Sequence, residues 1–157
     1  MNSSFLKYSR FITIAILGVF LGSCSNDDSQ AQLDADVKII EQYIADNNLQ
    51  AEEVGLGLYI VTDFKGNGNT PNSTSTVSIR YRGYLTNGIE FDESWNNAAN
   101  FSLSGTIEGW RKGIPQFREG GRGTLLMASY LGYGENSVGV IPSNSVLIFD
   151  IDLVAVY

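Results

Sequence analysis

Hydrophobic and polar positions divide the 157-residue chain into three parts. A short apolar run covers residues 11–21 near the N-terminus. Apolar residues then recur at helical spacing over residues 33–44. Beyond residue 55, apolar and polar residues alternate or form short apolar runs, which is typical of β-strands. The pattern therefore predicts a leader, one helix and a sheet.

The N-terminal run is too short to span a membrane. It has 11 residues and follows Lys7 and Arg10, whereas a membrane-spanning helix needs roughly 20. A basic start and a short apolar middle are typical of a secretory signal. The alternative is a buried N-terminal helix, which the lack of a polar face disfavours. We therefore predict a signal peptide over residues 1–23.

The residues that follow this run carry a second signal. Leu21-Gly22-Ser23-Cys24 resembles the lipobox of bacterial lipoproteins, in which the cysteine is acylated and becomes the new N-terminus. Two or three acyl chains supply the multiple anchors that stable membrane attachment requires. A free structural cysteine is the alternative. Residues 24–31 are then expected to form a lipidated, flexible tether.

A helix is predicted next. Leu33, Val37, Ile40 and Ile44 form one apolar stripe, and Ser29 with Gln32 has the spacing of a capping box. The helix is expected to start near residue 32 and to end near residue 47, with a linker up to residue 53. It is expected to pack or to act as a spacer, and binding to a partner is the alternative.

The residue pattern in the second half of the chain predicts five or six strands and one short helix. Asn87-Gly88 is a hairpin signal, and a helical stretch over residues 110–117 is limited by Pro115. Asp150 and Asp152 alternate with apolar residues and are expected on a solvent-facing side. The expected fold is α+β, an antiparallel sheet wrapped around one short helix. The predicted strands are 56–61, 77–82, 89–91, 101–103, 124–127 and 146–156.

Composition removes several classes of function. The chain has 10 basic and 17 acidic residues, for a net charge of −7, and no long basic run, which disfavours nucleic acid as a partner. It has no histidine, which excludes Ser-His-Asp sites, Cys-His sites and histidine-ligated metals. The single cysteine cannot form an internal disulfide. No cofactor or metal is expected.

Six segments of the second half form an ordered set of motifs. Residues 81–85 have the pattern Tyr-x-Gly-x-Leu, and residues 88–94 have Gly-x-x-Phe-Asp-x-Ser. The other segments are 101–103, 107–110, 131–134 and 140–153. In order and spacing these resemble the blocks of FK506-binding-type peptidyl-prolyl isomerases, over about residues 54–157. With its lipobox and N-terminal helix, the whole chain resembles the lipoprotein isomerases of Bacteroidetes-type bacteria.

This resemblance implies roles for individual residues. Trp110 would form the floor under a proline ring, and Asp92 would lie against the twisting amide, held by a hydrogen bond from Tyr81. The backbone N–H of Ile107 and the hydroxyl of Tyr133 would bind substrate carbonyls. For any one aromatic residue taken alone, an ordinary core position is the alternative. The walls and rim of the pocket would be Tyr81, Phe91, Phe101, Phe149, Val140 and Ile141.

The chemistry suits a chain without histidine. Rotation about an X–Pro bond breaks no covalent bond, and its barrier of roughly 18–20 kcal/mol comes from amide resonance. A twisted amide has lost that resonance and is less polar, so a dry aromatic pocket stabilises it relative to the planar amide. Such a reaction needs neither nucleophile nor cofactor.

The chain departs from the family pattern at three places. Thr106 stands where the family has Val, and Ser143 where a second proline is expected. Residues 95–100 contain no arginine, whereas many relatives place one there to pair with the aspartate. We therefore expect Asp92 to be less firmly held. The loop over residues 135–139 is also short.

The sequence thus predicts a monomeric, lipid-anchored isomerase that acts on proline-containing segments of unfolded exported proteins. Macrolide inhibitors would occupy the same pocket. The expected location is the outer membrane, facing the periplasm or the cell surface, with membrane contact through Cys24 alone. The alternative is a catalytically weak member of the same fold that binds peptides as a chaperone.

Overall fold

The computed structural model describes residues 24–157, and the predicted signal segment lies outside them. Three short 3-10 turns, Leu103–Gly105, Ile114–Gln116 and Ser129–Leu131, connect the main elements. The two helices are α1 (Cys24–Asp46) and α2 (Glu108–Gly113). The strands are β1 (Ala51–Gly55), β2 (Leu58–Phe64), β3 (Thr76–Leu85), β4 (Glu90–Glu93), β5 (Ala99–Ser102), β6 (Arg122–Met127) and β7 (Leu147–Val156).

All seven of these strands form one antiparallel sheet. Its order is β1-β2-β6-β7-β3-β4, and β5 pairs with the first half of β3 beside β4. The predicted α+β class, with a sheet, a short helix and an extra N-terminal helix, is confirmed. The predicted hairpin is confirmed as well: the Gly88 N–H donates to the carbonyl of Leu85 at 2.8 Å, and Gly88 has φ +84°.

The structure contains one strand more than the sequence predicted. β1 was placed in the linker because its sequence, AEEVG, is short, acidic and without clear alternation. It nevertheless pairs with β2 at the edge of the sheet. Leu56, predicted within a strand, lies in the turn between β1 and β2 and is 64% exposed. The sheet therefore begins at Ala51, three residues before the predicted domain boundary.

The first helix also differs from its predicted start. α1 begins at Cys24, so the stretch expected to be a flexible tether is helical. Gln–Asp hydrogen bonds one turn apart stabilise it, among them Gln30 to Asp34 at 2.8 Å. Its end agrees with the prediction, since Asn48 has φ +52° and the Leu49 N–H donates to the carbonyl of Ile44.

The two faces of the sheet carry different layers. We call the face against α2 the inner face; it packs Leu125, Trp110 and Phe149 into the larger core cluster. We call the face against α1 the outer face; Leu33 and Ile40 of α1 share its cluster with Ile148. Asp150 and Asp152 also lie on the outer face, as predicted, paired with Arg82 and Arg80. The sheet is thus covered by a helix on each side.

Neither helix of residues 24–157 is long and apolar enough to cross a membrane.

Candidate functional site

The site is built around α2, which carries Trp110. Two backbone N–H groups, of Trp110 and Arg111, donate to the carbonyl of Ile107 at 3.1 Å and start the helix there. The Lys112 ammonium pairs with the Glu108 carboxylate at 2.6 Å across one turn. Pro115 then turns the chain into a 3-10 segment, since it cannot continue the helical hydrogen bonds.

A glycine lets α2 approach the sheet closely. A Cβ added at Gly109 would lie 2.3 Å from the sulfur of Met127 on β6. Only a residue without a side chain fits at that distance. The close approach brings Trp110, the next residue, onto the inner face, where it is 4% exposed.

Three aromatic rings contact Trp110 edge to face, and a fourth contacts one of those three. Its ring centroid lies 5.0 Å from that of Tyr81, 5.2 Å from that of Phe101 and 5.4 Å from that of Phe149. Phe91 meets Phe149 at 5.4 Å with an interplanar angle of 81°. Edge-to-face contacts between aromatic rings add to the stabilisation from burial. The rings therefore form a rigid apolar wall.

Gly83 makes room for two of these rings. A Cβ there would lie 2.5 Å from an edge carbon of Phe91 and 2.8 Å from one of Phe149. Gly83 lies between Arg82 and Tyr84 on β3, opposite Phe149 of β7. The glycine of the Tyr-x-Gly-x-Leu motif is thus a steric requirement of the pocket.

The rings line a cavity of about 200 Å³. Eight of the ten predicted site residues lie on its wall, together with Gly105 and Thr106. The eight are Tyr81, Phe91, Asp92, Phe101, Ile107, Trp110, Tyr133 and Phe149.

Two predicted rim residues do not line the cavity. Val140 is 59% exposed on the loop after Tyr133, whereas Ile141 is 4% exposed and belongs to the inner core cluster. Ile141 and Val138 exchange backbone hydrogen bonds at 2.9 Å, which turns the loop back on itself. The alternation imposed by this narrow turn sends one side chain inward and leaves its neighbour in solvent.

Gly105 and Thr106 were not predicted as part of the wall. The Thr106 hydroxyl donates to the carbonyl of Leu103 at 2.8 Å and so closes the 3-10 turn that precedes α2. Their position directly before Ile107 in the motif was the available signal. The departure from Val at position 106 therefore places a hydroxyl in the cavity wall, already engaged with the backbone.

One edge of the cavity is polar. The Tyr81 hydroxyl donates to Oδ2 of Asp92 at 2.7 Å. Burial, and then the hydrogen bond to this carboxylate, raise the pKa of Tyr81 above its ordinary value of 10.0. Tyr81 therefore remains a neutral donor at physiological pH. Asp92 itself is exposed, and the four ion pairs found in residues 24–157 do not include it.

The floor holds one unmatched donor. Among the described residues, Nε1 of Trp110 is the buried side-chain polar atom that lacks a hydrogen-bond partner. A buried donor without a partner costs roughly 1–3 kcal/mol. The inner face therefore combines a dense apolar wall with polar groups that are not all satisfied by the protein.

Fold and cavity define an FKBP-type domain, and the sequence comparison agrees. Residues 67–154 match the model of the family described as FKBP-type peptidyl-prolyl cis-trans isomerase. The match covers more than half of the chain. This protein therefore belongs to the FKBP-type peptidyl-prolyl cis-trans isomerase family.

Individual relatives give the same result. The chain is 34% identical to the FKBP-type peptidyl-prolyl cis-trans isomerase FkpA of Aeromonas hydrophila over 142 residues, which are 83% of this chain and 52% of that protein. It is 34% identical to FkpA of Escherichia coli K12 over 118 residues, 74% of this chain and 43% of that protein. The chain thus spans about half the length of the curated relatives it matches.

Solved structures show the same architecture. A peptidyl-prolyl cis-trans isomerase from Pseudomonas syringae superposes with a TM-score of 0.72 at 28% identity, covering 82% of this chain and 95% of that one. FkpA from Escherichia coli gives a TM-score of 0.69 at 31% identity, covering 83% and 65%.

Proposed function

We propose that this protein is a peptidyl-prolyl cis-trans isomerase that binds X–Pro segments of exported, unfolded proteins in the cavity over Trp110. The observation that carries the proposal is the aromatic cavity with one polar edge at Tyr81 and Asp92. Its size suits a proline ring and the preceding peptide unit. Macrolide inhibitors would compete for the same space.

The geometry suggests how rotation is accelerated. The proline ring binds in the cavity, against the aromatic side chains, and rests on Trp110, where water is excluded. The planar amide is strongly hydrated, whereas the twisted amide has less charge separation, so the dry wall favours the twisted state. Ile107 at the start of α2 and the Tyr133 hydroxyl hold the neighbouring carbonyls, which fixes the chain on both sides of the rotating bond.

Asp92 acts on the rotating bond in this proposal. Its carboxylate is oriented by the Tyr81 hydroxyl at 2.7 Å and lies at the cavity wall. A negative group held beside the amide interacts differently with the planar and the twisted states. Such a difference affects turnover more than binding.

A protease-coupled assay with a proline tetrapeptide tests the function. Chain with Cys24→Ser, which lacks the acylation site, should accelerate isomerisation over the uncatalysed rate, and Trp110→Leu should remove most of the acceleration. A second candidate is a peptide-binding module with weak catalysis. The exposure of Asp92, and the lack of an ion pair to its carboxylate among residues 24–157, favour this candidate. Tight peptide binding without acceleration would identify that module.

The membrane anchor is a further part of the proposal. Cys24, the first residue of α1, would carry the acyl chains, and the helix would then rise directly from the membrane surface. At 1.5 Å per residue, the 23 residues of α1 would span about 35 Å. The domain would face the periplasm or the cell surface.

Detergent partitioning and protease treatment of intact cells test this anchor. The wild-type protein should enter the detergent phase and Cys24→Ser the aqueous phase. Wild-type protein in the aqueous phase would refute the anchor. Digestion by external protease would place the domain on the cell surface, and protection would place it in the periplasm.

A further inference from the structure

A buried carboxylate links α1 to the sheet. Asp36 is 0% exposed and lies one turn from both Leu33 and Ile40. Burial of a charged group is costly unless hydrogen bonds replace water. Oδ2 of Asp36 accepts from the N–H of Ser129 at 2.8 Å and from its hydroxyl at 2.6 Å. Oδ1 accepts from Nε2 of Gln32 at 2.8 Å.

The partner, Ser129, is the centre of a small network. It starts the 3-10 turn Ser129–Leu131 that directly follows β6. Its carbonyl accepts from the N–H of Gly132 at 2.9 Å and from that of Gly134 at 2.8 Å. These two glycines lie on either side of Tyr133. All the polar groups of Ser129 are therefore used, two by α1 and one by the loop that carries Tyr133.

The same segment also contacts the inner core, where Leu131 and Ile141 are buried. Tyr133 is only partly buried and lines the cavity opposite the outer-face helix. Its carbonyl accepts from the Asn136 N–H at 3.1 Å, a bond within the loop itself. The Gly134 carbonyl accepts from the Asn144 N–H at 2.7 Å, which joins the two ends of that loop. The Ser129 network connects this loop to α1.

We propose that Asp36 is a positioning residue for Tyr133, and that α1 thereby forms part of the substrate-binding apparatus. The inference rests on the proposed isomerase function, since Tyr133 is given its role there. Asp36 holds Ser129, and the carbonyl of Ser129 sets the path of residues 132–134. Loss of the carboxylate leaves two donors of Ser129 without a buried acceptor, so the turn must shift toward water.

The main test compares three single substitutions, each made in the chain that carries Cys24→Ser. Asp36→Leu removes both acceptor oxygens at similar size and should raise KM for a proline tetrapeptide about fivefold, the effect of losing one hydrogen bond. The value of kcat should change less, because Tyr133 binds rather than rotates the amide. Ser129→Ala, which keeps the backbone bond, should give a smaller rise. Asp36→Asn, which keeps an acceptor, should restore a KM near that of the wild type.

A matched control separates positioning from stability. Ile40→Ala removes a fully buried side chain from the same helix and the outer cluster. It should lower the unfolding midpoint at least as much as Asp36→Leu but leave KM unchanged at temperatures where both variants are folded. Equal rises of KM in both variants would overturn the proposal.

A double-mutant cycle with Tyr133→Phe tests whether the effect of Asp36 on KM is transmitted through Tyr133. If Asp36 acts through the Tyr133 hydroxyl, Asp36→Leu should have little further effect on KM once Tyr133→Phe is present. Independent effects that multiply would overturn the proposal.

The backbone resonances of Gly132 and Gly134 provide a readout that does not need catalysis. In ¹⁵N NMR spectra, Asp36→Leu and Ser129→Ala should shift both amides, and Ile40→Ala should not. Unchanged resonances in Asp36→Leu would refute the positioning link even if the enzyme is active. A wild type without acceleration would refute the isomerase function, while these resonances would still decide whether Asp36 holds the loop.

Discussion

The two faces of the sheet use the same strands for different purposes. Along β7, Phe149 points to the aromatic wall, whereas Asp150 points to the outer face. The outer carboxylate of Asp150 accepts from Arg82, from the Tyr84 hydroxyl and from the Thr124 hydroxyl. On the inner face, Nε1 of Trp110 has no partner within the described protein, and Asp92 has no ion pair.

Because of this difference, the outer face mainly stabilises the fold, whereas the inner face is open to a ligand. On the outer face, the Asp150 carboxylate is satisfied by side chains of the protein, and the face forms a fixed surface for α1. A face with an open apolar wall and partly unmet polar groups is less favourable by itself and gains from a bound peptide. Apart from Asp36 and Ser129, which connect the two sides, we expect substitutions on the two faces to affect different measurements.

The largest contrast is expected between Trp110 of α2 on the inner face and Ile148 of β7 on the outer face. Trp110→Leu should lower kcat/KM about 100-fold, equal to roughly 2.7 kcal/mol, because the floor of the cavity is lost. Ile148→Ala, on the outer face, should cost about 2–5 kcal/mol of unfolding free energy with kcat/KM unchanged in the folded protein. Denaturant titrations and the peptide assay on both variants measure this. A similar loss of kcat/KM in both would abolish the distinction between the faces.

Gly83→Ala should damage the inner face without removing any ring. The added Cβ would meet Phe91 and Phe149 at 2.5 and 2.8 Å, so both rings must move and the wall must open. We expect kcat/KM to fall about 20-fold, within the 1–3 kcal/mol typical of overpacking. Gly55→Ala is the control, since its Cβ would meet only Leu58 at 3.9 Å. Wild-type activity in Gly83→Ala would show that the rings can adjust freely.

Asp92→Asn tests the polar edge of the cavity. It should reduce kcat about tenfold, or 1.4 kcal/mol, with a smaller change in peptide affinity, because the carboxylate matters most as the amide twists. Asp152→Asn is the outer-face counterpart, and it should leave both kinetic constants unchanged. Equal losses of turnover and affinity in Asp92→Asn would make Asp92 a binding group only.

The smallest effect is expected at alkaline pH. Burial raises the pKa of Tyr81 and of Tyr84, one on each face, above 10.0. A raised pKa contributes stability that is complete below pH 10 and decreases as pH rises further, because only the unfolded chain then releases the proton. The unfolding free energy should therefore decrease less between pH 9 and pH 11 in Tyr81→Phe and in Tyr84→Phe than in the wild type. An unchanged pH dependence in both would contradict this.

The sequence predicted the inner face better than the outer one. The motifs around Tyr81, Phe91 and Trp110 are local, and alternation along β3 and β7 places Tyr81 and Phe149 on one side of the sheet. The burial of Asp36 could not be predicted, since it depends on Ser129, a residue 93 positions away. Val140 and Ile141 do not line the cavity, because a tight turn, which has no periodic signal, decides which of the two side chains points inward.

The position of β7 in the sheet has a consequence for how the chain reaches this structure. β7 lies between β6 and β3, and it pairs Val156 with Val77 and Leu147 with Leu85. Contacts so distant in sequence slow folding, because a long loop must close before any bond forms. Until residues 147–156 are available, β3 and β6 share no neighbour and each presents an open edge to other chains. During its own synthesis, this protein is therefore itself an aggregation-prone unfolded chain, in need of protection until β7 has been made.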